Sequence, residues 1–555
     1  MLRSYQRGWL RSDLQAGATV FAVLVPSALA YGALAGMPPV AGLYAALAAM
    51  TAYAFFGSSR QLVIGPDAAL PLILAATVGP LAGGDLARYA VLAAGLSILV
   101  GGLCLVARVL RAGFLVNFLA QPILTGYLAG VAIIVIASQL GRVLGIRLTS
   151  ATVASQLWEA LQRRSETHGL TLGLGLGSLL LLFTMKRVVP RVPATLLVMI
   201  AATVAARALH WDAQGVAVIG RIPAGLPRLV LPWIGWTDFQ ALIVPALTIT
   251  LLSFADAIVT ARSFAAKNHY EIDANQELVA LGIADIACGL VGGFPVSSSS
   301  ARTAVVDALG GQTQVAGLVA VGLLALFLVL FTSLLAFLPL VVLAAVLIVA
   351  VAGLIDGSAF RQLYTIRRSE FWLALVTLGT VLTAGLLEAL LVAVTLALLR
   401  ALMRIIQPHD AVLVAHASAE GYREIAPDAV GTHMMQPGLI VYRFDGPLMF
   451  ANALLFRDRI RALSQSNATP IRWLLIDAEA IVDIDTTAAS MLIDLSTELR
   501  TQGIVLSFAR TSAPLYRMLE KTGVIAQVGA DHFFPLLSSA VETLAGATAP
   551  EPRSS

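Results

Sequence analysis

Charge is scarce in this chain. Asp, Glu, Lys and Arg make up 12% of its 555 residues, about half the share of a soluble domain, which excludes an ordinary water-soluble protein. Cysteine is scarcer still. Cys104 and Cys288 lie far apart in apolar runs, which excludes a disulfide framework and a thiolate metal site. No His/Cys/Asp cluster has metal-ligand spacing, so no metal and no cofactor are expected. A G-x-x-x-x-G-K-[ST] loop is missing too, which removes support for ATP-driven transport. No nucleophile–base pair is visible, so no enzyme is expected. The net charge of +4 is too small, and too concentrated at loop ends, for a nucleic-acid partner.

Hydrophobic sequence is abundant: 58% of residues, with a mean hydropathy of +0.85. These values describe a polytopic membrane protein. No cleavable signal is expected, because a short basic segment (Arg3, Arg7, Arg11) leads directly into a span. Apolar runs fall at 13–31, 38–57, 67–79, 88–110, 121–145, 169–188, 193–209, 240–262, 275–292, 299–309, 314–338, 339–355, 369–386 and 387–406. That makes fourteen elements. Basic residues cluster at Arg60, Arg108/Arg111, Lys186/Arg187/Arg191, Arg361/Arg367/Arg368 and Arg400/Arg404. By the positive-inside bias both termini are cytoplasmic, in keeping with an even count.

Two of the fourteen runs are too short to span. One follows Ile64-Gly65-Pro66, begins at Asp67-Ala68-Ala69 and stops at Gly79-Pro80. The other follows Gly292-Gly293-Phe294-Pro295, carries Ser297 to Ser300 and Ala301-Arg302-Thr303, and stops at Gly310-Gly311. A helix of about 12 residues rises roughly 18 Å, against a hydrocarbon core of roughly 30 Å. Broken helices at corresponding places in two halves of a membrane protein mark a transporter's substrate site, because their N-termini present free N–H groups and partial positive charge. The ligand they suit is an anion. Pro66 and Pro295 are 229 positions apart (295 minus 66), as are Ser27 and Asp256 (256 minus 27). A shared offset suggests seven elements repeated, and an odd-numbered repeat is inverted in the membrane.

Arg302 falls in the first turn of the second short helix, where a cation opposes the helix dipole. Its reading is electrostatic help for an anion, against snorkelling or structural pairing. The hydroxyls of Ser297 to Ser300 can donate to substrate or bond backbone. Asp256 is the one acid in the eighth run, and a carboxylate at that depth pays desolvation when charged. It is a candidate to take up and release a proton or to hold a cation. Asp67 caps the first short helix and is the second candidate for the coupling ion. Gly169, Gly173 and Gly177 form a small-residue stripe suited to close helix packing, within the chain or between chains.

After Arg404 the pattern changes. Short runs at 439–444, 473–477 and 503–510 alternate with helical stretches such as Ala488 to Arg500, which predicts a small cytoplasmic α/β domain over 407–545. The Pro/Ser-rich end, 546–555, reads as disordered.

Pro39-Val40-Ala41-Gly42-Leu43-Tyr44, continued by Tyr53-Ala54-Phe55-Phe56-Gly57-Ser58-Ser59-Arg60, closely resembles the signature of the sulfate permease (SulP, or SLC26) anion transporters, with Ala41 in place of the family's Tyr. Ile64-Gly65-Pro66-Asp67-Ala68-Ala69, Thr260 to Ala265, Asn275-Gln276-Glu277-Leu278 and Gly293 to Thr303 extend the likeness over nearly the whole chain. The resemblance implies a 7+7 inverted repeat with a UraA-like core (elements 1–4 and 8–11) and gate (5–7 and 12–14), occupying 1–406. It implies an anion held between the short helices by Ala68, Ala69, Ser300, Ala301, Arg302 and Thr303, with Ser27 and Tyr31 completing the pocket. It also implies a homodimer among membrane lipids. The family's Pro-Gln-x-x-Ala-Tyr motif is Pro26-Ser27-Ala28-Leu29-Ala30-Tyr31 here, and the Ser often found before the family Arg is Ala301. Both changes leave backbone N–H groups and Arg302 to carry more of the binding. Ile484-Asp485-Thr486-Thr487-Ala488 is similar to the phosphorylatable turn of STAS domains, with Ala488 for the usual Gly, so Thr486 and Thr487 are the possible regulatory positions.

The reading that results is a secondary transporter, a proton-coupled sulfate symporter working by elevator-like alternating access. Sodium-coupled bicarbonate uptake, C4-dicarboxylate uptake and chloride exchange are alternatives within the class. An anion channel, or a membrane sensor signalling through the STAS domain, is the alternative outside it.

Overall fold

The computed structural model describes residues 5–111, 113, 121–148, 150, 152–189, 193–220, 225–415, 422–425, 438–465 and 470–546. They divide into two compact units, Met1–Ala397 and Leu398–Ser555.

In the first unit the apolar runs are helical, the conformation that satisfies every backbone polar group where water is absent. In chain order they are α1 (Leu10–Leu34), α2 (Val40–Phe56), α3 (Ala69–Ala82), α4 (Leu86–Val109), α5 (Gln121–Leu144), α6 (Val153–Gln162), α7 (Gly169–Val188), α8 (Ala194–Ala208), α9 (Trp236–Lys267), α10 (Ala274–Leu290), α11 (Ser300–Ala308), α12 (Val315–Leu330), α13 (Leu340–Ala352), α14 (Gly357–Ile366), α15 (Arg368–Thr383) and α16 (Leu386–Ile406). Among the described residues, six helical segments are long and apolar enough to cross a membrane. Fourteen of the helices coincide with the fourteen apolar runs. The other two, α6 and α14, are amphipathic and of 10 residues each. Their polar faces hide them from a search for apolar runs. They follow the fifth and twelfth elements, seven apart, as a repeated unit requires.

The repeat is legible in the packing. α4 packs on α10 and α12 on α2; α1 packs on α12 and α9 on α4; α5 packs on α15 and α13 on α7. Exchanging each element with the one seven places on turns one member of every pair into the other. At the centre, β1 (Ile64–Gly65) pairs antiparallel with β2 (Ser297–Ser298), Ile64 opposite Ser298 and Gly65 opposite Ser297, an arrangement that a two-fold rotation maps onto itself. The fold is a 7+7 inverted repeat. Close approach at its seams depends on glycine. A methyl added to Gly101 of α4 would collide with the Gly282 carbonyl of α10, and one on Gly42 of α2 with the Ala28 carbonyl of α1.

Four details differ from the sequence expectation. α3 runs past Gly79-Pro80 to Ala82 and ends on Gly83, whose φ of 60° is left-handed. Pro80 forgoes its own amide bond, but so near the helix end the turn survives. The equivalent strands are offset by 233 (297 minus 64), not 229, so Pro66 and Pro295 hold different places relative to them. Gly169, Gly173 and Gly177 have nothing within 4 Å where a side chain would project, and it is Gly175 that packs, against Val341 and Val143. Finally, Ser297 and Ser298 are strand, and α11 begins only at Ser300.

The second unit is a six-stranded sheet in the order β4 (Tyr422–Ile425), β3 (Asp410–Ala415), β5 (Leu439–Phe444), β6 (Trp473–Asp477), β7 (Val505–Ala509), β8 (Phe533–Phe534), parallel from β5 to β8. Ile440, Tyr442 and Phe444 join one buried cluster with α17 (Ala453–Gln465), α18 (Thr486–Thr501), α19 (Ala513–Lys521) and α20 (Val524–Val528); Leu439 and Val441 join another with α21 (Leu537–Gly546). Both faces are covered, which is why β5 reads as one apolar run. Asp485 caps α18 by accepting from the Ala488 N–H at 2.8 Å. Ala488 is buried in the first turn and its φ is not positive, so the turn does not need the family's glycine. Thr486 and Thr487 are exposed beside it. Of the expected disordered end, Gly546 closes α21, and 547–555 lie outside the described residues.

Candidate functional site

Crossing the two strands brings the N-termini of α3 and α11 together. Pro66 ends β1 because it has no N–H for the ladder. Ser299 ends β2, its side chain accepting from the Arg302 N–H and its own N–H donating to Val63 C=O at 3.0 Å. The Thr303 hydroxyl accepts from the Val63 N–H at 3.1 Å. These bonds stitch one repeat to the other across sequence separations of more than 200 residues.

Arg302 is 2% exposed and lies within electrostatic reach of Tyr31, Asp67 and Asp256. One Nη donates to the Pro66 carbonyl at 2.9 Å, and its Nε has no partner. Asp67 lies close to the backbone N–H groups of Ala68 and Ala69, but the cap position of α3 is Ala68 and no side chain caps the helix, so the expected capping role of Asp67 is not met. Asp256 accepts from the hydroxyls of Ser297, at 3.1 Å, and Ser298. Thr260, one turn further along α9, shares a 2.8 Å hydrogen bond with Ser300. The result is a continuous oxygen-lined surface from the α9 carboxylate to the first residue of α11.

A cavity of about 330 Å³ opens on this surface. One wall is Asp67, Ala69, Asp256, Thr260, Ser297 and Ser300. The other comes from the opposite group of elements: Leu124, Thr125 and Leu128 of α5, with Gly353, Leu354 and Asp356 between α13 and α14. A substrate there would touch both halves of any rocking movement. Not all expected residues reach it. Ser27 bonds the Val23 and Leu24 carbonyls of its own helix, Tyr31 is buried near Asp67 and Arg302, Arg302 itself is buried behind the wall with its guanidinium on the Pro66 carbonyl, Ala68 and Thr303 are buried, and Ala301 is exposed away from the cavity.

The sequence reading of the residues did not single out Thr260 or Asp356 on the wall. Four positions after Asp256, Thr260 shares its helix face, and that spacing is a usable signal; Asp356 carries none beyond its cap of α14. It also passed over three buried acids. Asp13 accepts from the Gln312 and Thr313 N–H groups and the Thr313 hydroxyl. Glu277 accepts from Tyr53, from Ser58 through both its N–H and its hydroxyl, and from the Ser59 N–H. Asp285 accepts from the Val296 N–H at 2.8 Å, just ahead of β2. All three pin loops around the crossing.

Comparison with known proteins decides the family. A profile of the Sulfate permease family matches residues 10–377, and a STAS domain profile matches 434–540. The chain belongs to the sulfate permease family. A probable sulfate transporter of Mycobacterium tuberculosis is 43% identical over 540 residues, covering 97% of this chain and 96% of that one. Human solute carrier family 26 member 6 is 33% identical over 481 residues, 82% of this chain and 63% of its own. Among solved structures, the murine Slc26a9 anion transporter superposes with a TM-score of 0.90 at 20% identity, over 99% of this chain and 93% of its own. The transmembrane domain of a cyanobacterial bicarbonate transporter does so at 0.61 and 24% identity, over 71% of this chain and 98% of its own.

Proposed function

We propose that this sulfate permease family member takes up sulfate together with protons, by an elevator-like movement of α1–α4 and α9–α12 against α5, α7, α8, α13, α15 and α16. The observation that carries the reading is the cavity at the crossing strands, with the first residues of the two short helices, Ala69 and Ser300, on one wall and the opposite element group on the other. Charge arithmetic supports the coupling. One guanidinium and two carboxylates, Arg302 with Asp67 and Asp256, carry one net negative charge when all are ionised, which repels a dianion. A proton taken up on Asp256 removes that repulsion and lowers the charge the moving core carries past an apolar barrier.

The same oxygen cluster favours a second reading, in which Asp256, Ser297, Ser298 and Thr260 surround sodium, a hard cation that prefers oxygen ligands, and the anion is bicarbonate. Purified protein in proteoliposomes, loaded with labelled sulfate under a proton gradient, a sodium gradient or neither, separates these readings. Accumulation driven by protons supports the first and accumulation driven only by sodium supports the second. Equilibration without accumulation under every gradient would make the protein a channel.

Residues 1–406 are assigned as the transport domain and 407–545 as a cytoplasmic STAS domain, with both chain termini in the cytosol and the protein a homodimer in its membrane. Thr486 and Thr487 stand at the positive end of α18, where a phosphate would be stabilised. A phosphomimetic Thr487→Glu that leaves the transport rate unchanged would remove the regulatory role from that position.

A further inference from the structure

A second cavity, of about 840 Å³, lies away from the anion site and falls within the size range of small-molecule pockets. Met199 and Thr203 of α8 line one side; Phe21 of α1 and Phe327 of α12 line the other. Elements of the two groups that would move against each other therefore share its walls. Among the described lining residues the only charged or titratable side chains are Arg207 and His210, at the C-terminal end of α8, and no acid is present. Arg207 places its guanidinium carbon 5.5 Å from the centre of the Phe337 ring. Trp211 follows at once, a residue type that settles at the headgroup level. An Arg, a His and a Trp together suit a position at the membrane interface; from there the cavity's apolar length extends along α8 toward Leu196.

We propose that this cavity binds an acyl chain of an anionic phospholipid, with the headgroup phosphate held by Arg207 and His210. Two observations point to that occupant. Ile200, Val204, Leu326 and Leu334 line the cavity and are themselves exposed, so it opens sideways onto whatever surrounds a membrane-spanning unit, which is lipid. The cationic residues stand at one end only, which matches an amphiphile with one negative end and an apolar body. Arg207 forms no ion pair with any described residue and is free to engage a phosphate; its stem lies along the apolar wall as snorkelling requires. A chain lodged there separates α8 from α1 and α12, so its occupancy sets how freely the two groups slide.

The test uses the full-length protein, stripped of lipid in detergent and titrated with phosphatidylglycerol or phosphatidylcholine while bound lipid is counted by native mass spectrometry. Wild type should retain one phosphatidylglycerol per chain in preference to phosphatidylcholine. Arg207→Gln, an exposed change that leaves the core intact, should lose about fivefold of that preference, the equivalent of about 1 kcal/mol for one basic residue near an anionic surface. Thr203→Trp, which fills the cavity, should abolish retention of both lipids. A phosphatidylglycerol with a photoactivatable group in its acyl chain should label α8 and α12. Equal retention of the two lipids by wild type, an Arg207→Gln protein with unchanged preference, or labelling confined to other helices would each overturn the proposal.

Discussion

Asp256→Asn should separate anion binding from proton-driven accumulation. The substitution keeps the shape and keeps an acceptor oxygen for the hydroxyls of Ser297 and Ser298. Either hydroxyl can rotate to accept from the new amide, since hydroxyls donate and accept. The change in local hydrogen bonding is therefore about 1 kcal/mol, too little to unfold the crossing. What is lost is titration. If one proton enters with each anion, binding linkage makes the anion affinity of wild type rise up to about tenfold for each unit that pH falls. The Asn protein resembles permanently protonated Asp256, so its affinity should be independent of pH and close to the acid limit of wild type. In proteoliposomes an inward gradient of one pH unit is worth about 1.4 kcal/mol per proton, enough for about tenfold accumulation by wild type. The variant should exchange labelled for unlabelled sulfate yet accumulate none. Sulfate still concentrated by the Asn protein under a proton gradient would remove Asp256 from the coupling step. A wild type that responds only to sodium would make it a cation ligand and favour bicarbonate.

Arg302→Ala should weaken sulfate binding by about 1.5–3 kcal/mol, the range for a hydrogen bond to a charged group, and lower Tm as well, because the change also removes the bond to Pro66. Calorimetry on a folded Arg302→Ala protein with unchanged affinity would leave Arg302 a purely structural part. Deleting 407–555 should reduce expression or dimer stability while leaving the order of anion selectivity intact, since every residue lining the anion cavity lies before that point; a reordered competition series would refute this. In the second unit, burial, with the nearby Arg500, holds the His532 imidazole below its ordinary 6.5. Protonation therefore favours the unfolded state: the stabilisation is complete above the unfolded value of about 6.5 and is lost as pH falls from there through the lowered folded pKa. Hydrogen exchange in β6, corrected for its chemical pH dependence, should speed up on acidification in wild type and respond less in His532→Gln.

The helices were legible in the sequence because a membrane leaves so few alternatives: an apolar run with no solvent for its backbone folds as a helix, and all fourteen runs did. The site was legible through punctuation. Pro66, Pro295 and the neighbouring glycines announce interrupted helices, and an arginine at the start of one opposes the helix dipole and so stands out. The rest depended on register. A repeat offset taken from two prolines missed the true pairing of Ile64 with Ser298, because the strands are two residues long and leave no periodic pattern. Ser297 and Ser298, open from sequence between donating to substrate and bonding backbone, hold their hydroxyls on Asp256, a partner that only the strand register reveals. In the second unit the central strands stood out as apolar runs, while Tyr422–Ile425 is mostly exposed at the sheet edge and gives no such signal.

The two repeats share a fold but differ in charge, and the difference is built into the linkers between strand and helix. In the second repeat a single residue, Ser299, separates β2 from α11; in the first, Pro66, Asp67 and Ala68 separate β1 from α3. The two additional residues let the first repeat offer both a carbonyl, from Pro66, and a carboxylate, from Asp67, to an arginine that only the second repeat possesses. A strictly symmetric pair would set like charges against each other across the axis: two arginines that hold an anion too tightly to release it, or two aspartates that exclude it. With one of each, the two charges nearly compensate, and under the proposed coupling a third group, Asp256, would decide by its protonation whether the balance favours the anion. Lengthening the Ser299 linker by two residues should then cost coupling before it costs fold, because it shifts Arg302 away from Pro66 while leaving the β1–β2 pairing untouched.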